Sequence, residues 1–92
     1  MNKMEIACTD FFTKSPEEKE EIINKMVSSL DDFVTKYSPP LLGFMKTIEL
    51  TQWFIEKKIN EENYEIAHVA TQAFTLFRQK HANTNITELC QH

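Results

Sequence analysis

The residues of this chain best suited to metal binding or nucleophilic chemistry are His68, His81, His92, Cys8 and Cys90. A zinc ion needs three or four such ligands converging on one point. Here His68 and His81 share one predicted helix, where a turn of about 100° per residue points them about 140° apart. His92 is terminal, and the two cysteines lie near opposite ends of the chain without the close spacing of a ligand pair. No metal and no cofactor are expected. A cysteine nucleophile needs an imidazole held beside it as base, and nothing local arranges one. The paired carboxylates Asp31-Asp32 and Glu61-Glu62 fall on solvated arcs, without the desolvated pocket that acid/base chemistry requires. A chain with one glycine has no glycine-rich phosphate loop. No catalytic residue is assigned, and a non-enzymatic protein is expected.

Charge narrows the partners. With 10 basic and 14 acidic residues the net charge is −4, the wrong sign for a phosphate-binding surface. The clustered cations, Lys57 with Lys58 and Arg78 with Lys80 and His81, sit near predicted helix ends, where the helix dipole favours them. A helix-turn-helix with its turn at 60–63 would expose Tyr64, His68, Thr71, Gln72 and Gln79, a face with little charge. Nucleic-acid binding is therefore a minor alternative. A second alternative is an oligomer that holds a small molecule or nucleotide between copies through Tyr64, His68, Arg78 and Lys80.

The chain has 92 residues, one domain, and so short a chain buries only about 60 to 65% of its unfolded surface. No apolar run is long enough to span a membrane. The segment MNKMEIACTDFF lacks the apolar core and cleavage site of a secretory signal, which leads us to expect a cytoplasmic protein with reduced thiols. In that setting the acceptor pattern Asn85-Ile86-Thr87 is incidental. A Cys8–Cys90 disulfide stays open, since it requires the termini to meet.

Behind these residues stand the elements that must place them. One glycine, three prolines and many Glu, Lys, Leu and Met predict helices with short connections. Ser15-Pro16-Glu17-Glu18 combines a capping hydroxyl, a proline suited to the first helical position and a glutamate able to close a capping box. The helix it starts, expected over 16–37, puts Ile22, Ile23, Met26, Val27, Leu30, Phe33, Val34 and Tyr37 on one arc of about 140°. It stops where Ser38-Pro39-Pro40 cannot continue it.

The next helix, expected over 39–59, carries more apolar residues than one face can hold. Leu41, Phe44, Met45, Ile48, Ile55 and Ile59 form a stripe about 100° wide, read here as core. Leu50 and Phe54 point nearly the other way, and Leu42 and Trp53 a third way. Either this helix is the central element of a bundle, or Leu50, Trp53 and Phe54 face another chain. Gly43, one turn in, costs about 1 kcal/mol of helix propensity and signals close approach of a neighbouring backbone.

The last long helix, expected over 61–82, places Ile66, Ala67, Val69, Ala70, Ala73, Phe74, Leu76 and Phe77 inward, wedged between two neighbours. Tyr64-Glu65-Ile66-Ala67 followed by Ala73-Phe74 resembles a fragment of the second helix of a tetratricopeptide repeat. It covers about a dozen residues, and no second unit recurs, so no repeat architecture is expected. A short helix within 1–14 docks through Phe11 and Phe12, while 83–92 is a tail.

The expectation is thus an all-α, small antiparallel bundle of three long helices completed by a short N-terminal one. Its expected function is that of a protein-interaction module that self-associates, or binds and masks a partner in the manner of inhibitors, immunity proteins or chaperones. Leu42, Leu50, Trp53 and Phe54 are its candidate contact residues.

Overall fold

The computed structural model describes residues 3–37 and 40–82. Its elements are α1 (Lys3–Cys8), a 3-10 turn (Phe11–Thr13), α2 (Pro16–Val34), α3 (Pro40–Asn60) and α4 (Tyr64–Ala82). The helices pack against one another as a small all-α bundle. The tail expected at 83–92, and with it Cys90 and His92, lies outside the described residues.

Local chemistry explains the boundaries. The Ser15 hydroxyl accepts from the Glu18 N–H at 3.2 Å, Pro16 opens α2, and Glu17 and Glu18 occupy its first turn. The Glu18 carboxylate accepts from the Ser15 hydroxyl at 3.2 Å, rather than reaching the Ser15 amide as a full capping box would. At the other end α2 stops at Val34, three residues before the expected Tyr37. There the bonding tightens to i−3 steps, with Lys36 N–H on Phe33 O at 3.2 Å and Tyr37 N–H on Val34 O at 3.3 Å, the usual last-turn tightening of a helix.

The α3–α4 connection is a Schellman motif. Asn63 N–H donates to Lys58 O at 2.9 Å and Glu62 N–H to Ile59 O at 3.0 Å, with Glu62 in the left-handed region at φ 61. Residues 61–63 therefore form the cap of α3, and α4 begins at Tyr64 rather than at the expected position 61. A side chain at that φ costs about 1 to 2 kcal/mol, which glycine avoids. Glu62→Gly is accordingly expected to stabilise the protein by about 0.5 to 1 kcal/mol after glycine's own entropy loss. Urea unfolding followed by circular dichroism reads this as a raised midpoint at unchanged slope.

Contacts along the helices set their directions. Asp31 near the end of α2 meets Lys80 and His81 at the end of α4, so α2 and α4 run the same way. At the start of α3, Gly43 lies against Val34, and Phe44 stacks on Phe77 with centroids 5.5 Å apart. Helix α3 is therefore antiparallel to both, as short connections favour.

The central element is α4, not α3. It packs on α1, α2 and α3, and Val69, Ala73 and Phe77 along it are fully enclosed. Three of its alanines, Ala67, Ala70 and Ala73, are buried and leave room for neighbours on several sides. Leu76, expected inside, is exposed. The N-terminal segment docks on α4 through Cys8 and Phe11, and the Phe11 N–H donates to Glu65 Oε2 at 2.8 Å. Phe12 stays half-exposed against the His68 ring, 5.2 Å between centroids, so of the two phenylalanines only Phe11 is an anchor.

The buried face of α3 is also rotated from the expected stripe. Gly43, Thr47 and Thr51, one every fourth residue, are its buried line, and Phe44, Ile48 and Ile55 flank it against the core. Met45, at 60% exposure, and Ile59 face outward. Small residues at i, i+4 spacing bring the backbones together, and this outweighs the larger apolar side chains in choosing the face. Thr47 can be buried because its hydroxyl donates to Gly43 O at 2.7 Å, which satisfies the polar group inside the helix.

Candidate functional site

Rotating α3 onto its glycine and threonines decides where the remaining apolar residues go. Side chains four apart form ridges along a helix. Leu42, Lys46, Leu50 and Phe54 make one ridge of α3, and Glu49, Trp53 and Lys57 make the next. The four residues singled out in the sequence, Leu42, Leu50, Trp53 and Phe54, are thus brought onto one flank. Trp53 is 58% exposed, Leu50 46% and Leu42 41%, while Phe54 is half-buried against the core.

Phe54 and Leu50 form one wall of a groove of about 280 Å³ between α2 and α3. Met26, Leu30 and Phe33 of α2 form the other, Ala70 of α4 lies at its floor, and Ser29, Thr47 and Thr51 complete the lining. The groove exists because α2 and α3 touch closely at Gly43 and Val34, while the small Ala70 does not fill the space further along. Sequence reading missed its α2 wall, since Met26, Leu30 and Phe33 read there as plain core. The signal that could have revealed it was the Gly43–Thr47–Thr51 spacing, which turns Leu50 and Phe54 toward α2.

The flank is also charged in an ordered way. The Lys57 ammonium sits over the Trp53 ring, 5.0 Å from its centroid, a cation–π contact worth about 0.5 to 1 kcal/mol at an exposed site. Lys58 lies over Phe54 at 5.5 Å and pairs with Glu61 at 3.2 Å.

The residues of the alternative ligand reading do not gather. Tyr64 and Lys80 are separated by most of α4, about 24 Å at the helical rise. His68 rests on Phe11 and Phe12, the Arg78 guanidinium lies over Phe74 at 5.6 Å, and Lys80 is engaged by Asp31. Asp31 instead joins Lys80 and His81, whose Nε2 lies 3.0 Å from its carboxylate. Partial burial pushes the Asp31 carboxyl up, but its hydrogen bonds with Lys80 and His81 outweigh this and hold it below the usual aspartate range. The His81 ring is itself packed between Phe44 and Phe77, at centroid distances of 5.3 and 4.6 Å. This cluster is a clasp between α2 and α4. Among the described residues, no three His, Cys, Asp or Glu side chains gather as metal ligands, and no helix is long and apolar enough to cross a membrane.

No protein-family model, curated protein or solved structure matches the chain.

Proposed function

We propose that the protein is a non-enzymatic interaction module that binds protein through the outer flank of α3, by self-association or by covering a partner's surface. The observation that carries this reading is the exposure of Trp53, Leu50 and Leu42 on adjacent ridges beside an apolar groove. Contiguous apolar surface rimmed by charge is what protein interfaces use, and tryptophan is over-represented among the residues that dominate their energy. A chain of this size acts on a partner by masking, scaffolding or stabilising it, as small inhibitors, immunity proteins and chaperones do.

The test is sedimentation of the wild type against Trp53→Ala and Leu50→Glu. Trp53 is 58% and Leu50 46% exposed, so each variant is expected to keep its helical circular dichroism and lose only about 1 kcal/mol of stability. Association should weaken by at least tenfold, about 1.4 kcal/mol or more at an interface anchor. Trp53 is the one tryptophan in the chain, so its emission should also move to shorter wavelength as protein concentration rises. Folded variants whose mass and emission match the wild type at every concentration would remove self-association through this face. If both variants unfold, these residues are core.

A further inference from the structure

Charge order along the exposed ridge points to a specific occupant, and this inference rests on the interaction surface proposed above. We infer that α3 pairs antiparallel with α3 of a second copy, about a two-fold axis at Trp53, with Glu49 of each copy beside Lys57 of the other. Glu49 and Lys57 are exposed and stand one helical turn to either side of Trp53, about 6 Å along the axis. Neither makes an ion pair within its own chain among the described residues. Both charges are therefore free to meet a partner, and Lys57 already holds its ammonium over the indole at 5.0 Å.

Symmetry selects the arrangement. A two-fold interface uses one patch twice, so the patch must complement itself. A ridge with a negative residue before its centre and a positive residue after it does so only when the copies run in opposite directions. Parallel helices would set Glu49 beside Glu49 and Lys57 beside Lys57. An antiparallel pair centred between Leu50 and Trp53 would set Lys46 against Lys57. Like charges held together at an interface oppose association, whereas an antiparallel pair with its axis at Trp53 sets Glu49 of each copy against Lys57 of the other and joins opposite charges twice. When two i, i+4 ridges lie alongside each other, as in the commonest class of helix packing, the indoles meet at the centre. Leu50, on the neighbouring ridge, then lies at the edge of the same contact.

The experiment is equilibrium sedimentation of full-length wild type, Glu49→Lys, Lys57→Glu and the double variant Glu49→Lys/Lys57→Glu at low and high salt. Circular dichroism checks that each is folded, as expected for exposed positions. The wild type should be a dimer. Each single reversal creates two like-charge contacts per dimer and should raise the dissociation constant roughly tenfold at low salt. Restored affinity in the double variant, and a smaller effect at high salt, are the expected results. A dimer that Trp53→Ala abolishes but that ignores the charge reversals would overturn the antiparallel pairing while keeping the interaction surface. A dimer unaffected by Trp53→Ala would overturn both. A wild type that stays monomeric at every concentration would overturn the second copy as occupant and leave an unrelated protein as the partner of this flank.

Discussion

Phe77→Ala is expected to destabilise the protein by about 3 to 5 kcal/mol, the usual cost of emptying a fully buried aromatic site. Phe77 has 0% exposure, stacks on Phe44 and lies 4.6 Å from the His81 ring. It therefore joins α4 to α3 and supports the ring that reaches Asp31 on α2. A domain of this size has about 5 to 14 kcal/mol of stability in all, so the variant spends a large part of it at one position. Urea titration followed by far-ultraviolet circular dichroism should show the midpoint falling sharply or the folded baseline disappearing. Phe77→Leu, which keeps most of the volume, should lose less than about 1.5 kcal/mol. A loss under 1 kcal/mol for the alanine variant would mean that Phe77 is not the joint between the helices.

The second large effect is expected at Gly43, and its sign is the informative part. In an exposed helix interior, Gly→Ala gains about 1 kcal/mol of propensity. Here a Cβ would stand 2.2 Å from the Val34 carbonyl oxygen and 3.1 Å from the Tyr37 Cβ. The first contact is with backbone, which cannot rotate away, so α2 and α3 must separate where they are closest. Gly43→Ala is expected to destabilise by about 2 to 3 kcal/mol despite the propensity gain, a fall in Tm of roughly 10 to 20 °C. Thermal unfolding of the single variant measures this. A raised Tm would show that the two helices do not meet at this glycine. Because the Gly43 contact also sets the rotation of α3, the variant should weaken association through Trp53 as well.

Much of the architecture was legible in the sequence. Ser15-Pro16 marked the start of α2 through a hydroxyl and a ring that suit a helix N-terminus. The inward arc of α2, with Ile22, Met26 and Val34 buried, followed from a clean 3.6-residue period, and Gly43 announced a close backbone contact. The last helix was read nearly in full for the same reason. Its end signals were weaker: the cap at Glu62 uses a glutamate where glycine is usual, so α4 begins at Tyr64 rather than three residues earlier.

The middle helix is where periodicity stopped deciding. Its apolar residues cover almost every direction, so hydrophobicity alone could not choose a face, and the stripe through Met45 and Ile59 looked as good as any. Tertiary structure chose the line of Gly43, Thr47 and Thr51 instead, because small residues let α3 approach α2 and α4 closely while the Thr47 hydroxyl finds its partner in the helix's own backbone. Composition by itself determined that α3 carries more apolar surface than one face can hold. Only the packing decided that Trp53, Leu50 and Leu42, together with Met45 and Ile59, are left outside, since which side chains meet water depends on how closely neighbouring backbones can approach.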